Sequence, residues 1–460
     1  MATSHPVETC IPPLETASAR AGFRRWPAVV VWAVFAGLSA RLLTLISHYS
    51  VNVFFMDQWD FNEATLFQKH SWWEMFRWQH GPHRQGLGAI VAFLVDPPLH
   101  WNSRSESFLI GFIVLLATVC ALWLKIRLFG AITVFDVCIP LILLTPLQYE
   151  TLVITANFAH GPLPLLLVLL FCLAWTVPDL VLRYSLILLI NFLVIHTGFG
   201  LFLGVITPVA LAADYWLHRH EHPSRTVLFA FSLLVALGSL ALFFARYKYE
   251  TSVDCAPNLL QAPAAFAQFL FLMFANLLGV KGWGLFPLLV GGLTFAAILT
   301  ALVASTASLR SGSRADRPKR WTAVILLSFC LLFSADASYG RSCLGPQVAQ
   351  VSRYVIYMDL GLLGLYFFLL SLPQSVFRKA LLVVLSAALF ATIPIRKQDQ
   401  SVMGFVSSAK SRWKACYLRM EDIRGCNHAV GYGVYPNMDR NLKAKLEFLK
   451  QTKQNLYSGE

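Results

Sequence analysis

An all-α bundle of transmembrane helices is the fold this sequence predicts, and three observations predict it. Hydrophobic residues make up 57% of the chain, charged ones only 13%, and the mean hydropathy is +0.60; in domains folded in water about a quarter of residues carry charge. Apolar runs of about twenty residues recur along most of the chain, each long enough to cross about 30 Å of hydrocarbon as a helix. The runs are continuously apolar rather than alternating, which argues against a membrane barrel, and backbone groups in lipid then demand helices.

Taken in order, the runs place about eleven crossings, near 28–47, 107–124, 131–147, 158–177, 184–197, 199–216, 226–245, 284–305, 321–337, 353–371 and 379–394. The first follows Arg20, Arg24 and Arg25. Its apolar stretch is too long for a signal-peptide core and no small-x-small cleavage site follows, so it reads as an uncleaved anchor. Residues 1–27 read as a disordered cytoplasmic tail, 28–394 as the membrane domain and 395–460 as a polar tail. The stretch His196-Thr197-Gly198-Phe199-Gly200 reads as a tight turn between two short helices.

Lysine and arginine in short loops set orientation. With the N-terminus cytoplasmic, Lys125, Arg127, Arg183, Arg219 and Arg225 all fall inside, and the loop from 48 to 106 falls outside. Counting 263–280 as a crossing would put Arg310, Arg314, Arg317, Lys319 and Arg320 outside, so that segment reads as a helix lying on, or re-entering from, the outer surface. The tail is then outside despite twelve basic and six acidic residues, since long tails obey the charge rule poorly. Because the basic residues behind the net charge of +13 sit mostly in short connections, they set orientation and do not point to nucleic acid. Of nine cysteines, Cys120, Cys138, Cys172 and Cys330 fall in apolar runs as small hydrophobes. Cys416 and Cys426 lie in the polar tail, where an oxidising compartment would allow a disulfide.

The polar chemistry concentrates in two places. The first outer loop holds five of twelve histidines and five of thirteen tryptophans; its aromatics suit short interfacial helices. Asp57, Asp60 and Glu63 recur at spacing three and share a helical face, where like charges raise one carboxyl unless a proton or cation is shared. Two readings stand: a general base or divalent-metal ligand, or a solvated helix start favoured by the helix dipole. Beyond them, Gln79-His80-Gly81-Pro82-His83-Arg84 forms a polar knot in which Pro82 prevents one regular helix. Its histidines suit a sugar or phosphate contact, structural hydrogen bonding, or a metal site that would need a third ligand from elsewhere, and Arg84 suits bidentate phosphate binding. The second group, Gly340-Arg341 and Ser352-Arg353-Tyr354, flanks a late crossing on the same outer side, where the arginines either pair an anionic lipid headgroup or snorkel to the interface as ordinary flanking residues. Asn157, His160 and His196 read as interhelical hydrogen-bonding groups. The last stretch, with Leu442, Leu446 and Leu449 among lysines, reads as a short amphipathic helix.

In their order these elements resemble the GT-C superfamily of polytopic glycosyltransferases, and more narrowly a group of bacterial multi-pass membrane proteins of that type. The matching pieces are Asp57-Gln58-Trp59-Asp60, His80-Gly81-Pro82-His83-Arg84, Gly340-Arg341 and Ser352-Arg353-Tyr354. The pattern departs at Gly81-Pro82, where Asn-Glu is expected. The resemblance implies a GT-C-like bundle in a bacterial inner membrane and a polyprenyl-phosphate-linked sugar as donor. It implies Asp57 or Asp60 as the catalytic carboxylate and the arginines as holders of the lipid phosphate, with a divalent metal as a possible cofactor and an envelope glycan, lipid or protein as acceptor on the periplasmic face. Two other classes fit the same composition. A lipid-linked sugar flippase would need polar groups through the bilayer midplane, and an assembly partner would use the aromatic loop for docking.

Overall fold

The computed structural model describes residues 26–60, 71–218, 225–249, 262–311, 316–435 and 442–458. The readings at residues 1–25, Glu63 and His70 lie outside them. The described chain is almost entirely helical: α1 (Trp26–Tyr49), α2 (Trp72–Phe76), α3 (Gly86–Val95), α4 (Ser103–Phe129), α5 (Cys138–Leu143), α6 (Pro162–Ala174), α7 (Leu180–Val194), α8 (Leu201–His218), α9 (Arg225–Phe244), α10 (Pro263–Leu277), α11 (Leu285–Ser311), α12 (Arg317–Arg341), α13 (Val355–Ser371) and α14 (Val376–Phe390), then α15 (Lys397–Met420), α16 (Ile423–Val430) and α17 (Leu442–Thr452) in the tail. The two-residue strands β1 (Gln79–His80) and β2 (His83–Arg84) form its one sheet.

Helix starts follow local chemistry. Asn102 caps α4 by accepting from the Arg104 and Ser105 amides, and Asp179 and Ser375 cap α7 and α14 in the same way. Among the described residues, α1, α4, α9, α11, α12 and α13 include stretches long and apolar enough to cross a membrane. Large apolar side chains stand uncovered at helical spacing: Val227, Phe231 and Leu234 on α9, and Leu285, Leu289 and Leu293 on α11. In water such stripes would be adhesive; against acyl chains they are the surface the solvent requires. Inside the bundle, α13 is covered over most of its length and packs between α12 and α11.

Several expectations change in detail. The run at 131–147 is not one helix. Pro140 and Pro146 cannot donate backbone hydrogen bonds, and the chain passes through a 3-10 turn, α5, another 3-10 turn at Pro146–Gln148 and a π-turn at Glu150–Ile154. The run around Gly198 resolves into α7 and α8 with a turn between them, as expected. A Cβ on Gly200 would lie 1.7 Å from the Val194 carbonyl oxygen, so only glycine fits that turn. As for 263–280, α10 packs antiparallel on the first half of α11, with Phe271 and Phe274 against Phe295 and the Phe271 backbone against Gly291. Fifteen residues make about 22 Å of helix, and the second half of the segment is buried among the bundle helices.

Loops read as outer meet one another. Gln79 and Lys248 exchange backbone and side-chain hydrogen bonds, Lys281 donates to the Gln350 carbonyl, and Met56 N donates to Val434 O at 2.9 Å. Loops read as inner also meet, Lys319 lying over the Phe129 ring; close by in sequence, buried Lys125 pairs at 2.6 Å with Asp136 of the run at 131–147, and Asp136 also takes the Tyr366 hydroxyl. The tail folds onto the first loop. Leu442, Leu446 and Leu449 are all buried on α17, and a Cys416–Cys426 disulfide ties α15 to α16. Cys343, beside Arg341, is also disulfide-bonded. Cys120, Cys138, Cys172 and Cys330 are free and buried.

Candidate functional site

The first wall of the site is the turn that leaves α1. Met56 takes a left-handed conformation (φ +50°), rare for a side chain of its size and a local strain, and it is held by the bond from its amide to Val434. Gln58 locks the same turn by accepting from the Phe55 amide at 3.1 Å and donating to Glu106 at 2.9 Å. Asp57 is thereby presented, exposed, at the cavity wall. Asp60 stands just behind it. The Tyr435 hydroxyl donates to Asp60 Oδ1 at 2.5 Å, and Lys445 Nζ lies 3.9 Å from that oxygen while donating to the Trp59 carbonyl at 3.0 Å.

The polar knot forms the second wall. Gly81 (φ +54°) and Pro82 turn the chain so that His80 pairs with His83 and Gln79 with Arg84 across an antiparallel ribbon. Tyr247 pins the turn by donating to the Pro82 carbonyl at 2.8 Å, and Trp78 stacks on His80. The His83 ring lies edge-on to His160, with centroids 5.4 Å apart, and against Phe199. Burial first, then the positive charges of Arg341 and His80, push the His83 imidazole down to about 3, against a smaller opposing pull from the Gly198 backbone. His83 is therefore a neutral ring at physiological pH. Arg84 is placed differently from the expectation. Its guanidinium is buried and donates to the carbonyls of Phe243, Arg77 and Ala245, so it ties the ribbon to the end of α9 and does not face the cavity.

The third wall comes from the late arginines. Arg341, at the end of α12, donates to the Tyr354 hydroxyl at 2.7 Å. Arg353 pairs with Glu150 at 3.4 Å, and its amide donates to the other Glu150 oxygen. Ser352 fastens this corner, its hydroxyl donating to Leu147 O and accepting from the Glu150 amide. Between the walls lies a cavity of about 460 Å³ that brings together Asp57, His80, His83, Arg341, Arg353 and Tyr354. Two groups separated by nearly three hundred positions thus share one cavity.

Six polar lining residues lie outside the site predicted from the sequence: Glu150, Thr151, Thr155, Asn157, His160 and Tyr357. Asn157 Oδ1 accepts from the amides of Ala159 and His160, shaping the turn that brings His160 to the cavity. The sequence reads Asn157, His160 and His196 alike as interhelical hydrogen-bonding groups; the first two line the cavity, and His196 bonds the Phe192 carbonyl of its own helix. The alternating count already put residues 148–157 outside, and an ionisable Glu150 in so short an outer connection was the available signal. From the tail, Lys410 donates to the Ile154 carbonyl at 2.5 Å and lies over the Phe55 ring. Burial pushes its ammonium down to about 7, opposed by Glu106.

Asp57, Asp60 and His80 offer ligand atoms within 4.8 Å of one another, and two carboxylates with an imidazole suit a divalent cation of the Mn²⁺ or Zn²⁺ kind. No known protein family, curated protein or solved structure matches the chain.

Proposed function

We propose that the protein is a membrane glycosyltransferase of the GT-C type, which moves a sugar from a polyprenyl-phosphate donor to a hydroxyl acceptor at the cavity end of the bundle. The observation that carries the reading is the meeting of a carboxylate, neutral imidazole and two guanidinium groups in one cavity at the end of membrane-length helices. A lipid-linked phosphate needs cations at the bilayer edge, and a sugar acceptor needs a base facing water.

In this mechanism Asp57 takes the proton of the acceptor hydroxyl while that oxygen forms its bond to the anomeric carbon. The bond from the anomeric carbon to the donor phosphate oxygen breaks, and its electron pair leaves with polyprenyl phosphate. Arg341 and Arg353 hold the charge that develops there. Tyr354 orients Arg341, and Glu150 orients Arg353. His80 and His83 contact the sugar. A divalent ion held by Asp57, Asp60 and His80 would supply orientation of the acceptor oxygen. The cavity end faces the periplasm of a bacterial inner membrane with the N-terminus in the cytoplasm, a sidedness supported by the basic loops at the opposite end and by the disulfides at this one.

Asp57→Asn and Asp60→Asn, assayed separately for transfer from defined polyprenyl-phosphate sugars, test the reading. Loss of a base costs about 10²–10⁴ in rate; the larger loss is expected at Asp57, because Asp60 is held by Tyr435. Full activity in both variants removes the base. Absence of turnover by the purified protein with every such donor tried, together with donor movement across vesicles, would instead favour a transporter.

A further inference from the structure

Behind the ribbon, on the face away from the cavity, lies a second pocket of about 350 Å³. Arg77, Arg246 and Lys248 line it together with the already engaged Arg84, and Glu74 is its one carboxylate. Glu74 is occupied in part by the Ser71 cap, where its Oε2 accepts from the amide at 3.0 Å. Arg77 spends one nitrogen on the Ala245 carbonyl and lies over Trp73, while its buried Nε finds no partner. Arg246 and Lys248 are exposed, just past the end of α9. The walls are held: Gln79 bonds both the amide and the carbonyl of Lys248, and Arg246 sits in a left-handed turn (φ +57°).

We infer that this pocket binds the phosphate headgroup of an acidic glycerophospholipid. Three further observations select a lipid over a free anion. Arg246 and Lys248 stand just past the end of a membrane-length helix, and the ends of a spanning helix meet the headgroup region. Exposed Phe244, Trp72 and Trp73 flank them, the side chains that rest at an acyl–headgroup boundary. The pocket lies at the cavity end, where the orientation read from the sequence leaves few uses for clustered arginine and lysine. Its volume lies in the range of small-ligand sites, and a phosphodiester offers acceptors both to the unused Arg77 Nε–H and to the two exposed cations. The inference does not depend on the proposed transferase activity. Its consequence for the site is positional: the ribbon that bounds this pocket presents His80 and His83 to the cavity on its other face.

The test uses the purified full-length protein in an uncharged detergent. Thermal unfolding is followed while phosphatidylglycerol, phosphatidylcholine or inorganic phosphate is titrated in. The expected result is stabilisation by phosphatidylglycerol alone, with apparent affinity at least about tenfold weaker in the Arg246→Gln/Lys248→Gln double variant, the loss of about one charge-assisted hydrogen bond. Both side chains are exposed, so the variant is expected to fold, and native mass spectrometry of co-purified lipid gives a second readout. Arg412→Gln/Arg419→Gln, on exposed positions of α15, removes the same net charge elsewhere and is expected to leave the affinity unchanged. Equal weakening in that control, an unchanged affinity in the pocket variant, or equal protection by inorganic phosphate would each overturn the inference.

Discussion

Replacing His83 by glutamine tests whether the ribbon histidine is held neutral in the folded protein. The imidazole is pushed from its ordinary 6.5 to about 3 by burial and by Arg341 and His80. Between those values the unfolded chain binds a proton that the folded protein does not, so this group makes stability rise with pH across the window and fall as pH drops below 6.5. From pH 8 to pH 5 the loss is about 2 kcal/mol, the proton-binding free energy of an unfolded histidine at pH 5. That value is an upper bound, because the ring is only partly covered and lines an open cavity. Melting curves of wild type and His83→Gln in detergent at pH 8, 7, 6 and 5 isolate the contribution as a difference. The wild type is expected to lose more on acidification, by up to about 2 kcal/mol, with the gap opening below pH 6.5. Parallel curves over the whole range would refute the reasoning, since they would mean that His83 protonates equally in both states.

Reduction of the Cys416–Cys426 bond, or Cys416→Ser, releases a loop of ten residues' separation and is expected to cost about 3 kcal/mol by loop-closure entropy; a melting temperature that drops further on adding reductant in wild type than in the variant, which keeps the disulfide at Cys343, checks it. Lys125→Met leaves buried Asp136 without its cation and is expected to cost about 3–5 kcal/mol, with much of the loss recovered in Lys125→Met/Asp136→Asn; thermal stability of the set decides. Tyr435→Phe removes the bond to Asp60, a hydrogen bond to a charged group that contributes about 1.5–3 kcal/mol. Comparing that loss in wild-type and Asp60→Asn backgrounds by melting measures the coupling.

Much of the architecture was legible because lipid simplifies the problem: a continuous apolar run has few structural options, and loop charge fixes the alternation of ends. That count places Asp57 and Arg353 at one end of the bundle, and both line the same cavity. It failed where backbone chemistry outweighed hydropathy. The run at 131–147 is apolar enough to cross as one helix, but Pro140 and Pro146 break it, and the resulting π-turn carries Glu150 to the cavity. Arg84 was misread because a guanidinium serves a phosphate and three carbonyls equally well, and residue type alone does not distinguish them. The contributions of Lys410, Tyr435 and Lys445 were invisible for a different reason. They are long-range contacts between a polar tail and a polar loop, with no periodicity to link them.

That long-range closure has a consequence for biosynthesis. Tyr435 is joined to Asp60 across 375 positions, and Asn455, which bonds the Trp101 carbonyl, across 354. At about 5–20 residues per second, the first loop is made roughly 20–75 seconds before its partners emerge. Through that interval, while the intervening helices enter the bilayer, the carboxylates of Asp57 and Asp60 wait without their clamp, so maturation of the loop is timed by translation of the tail.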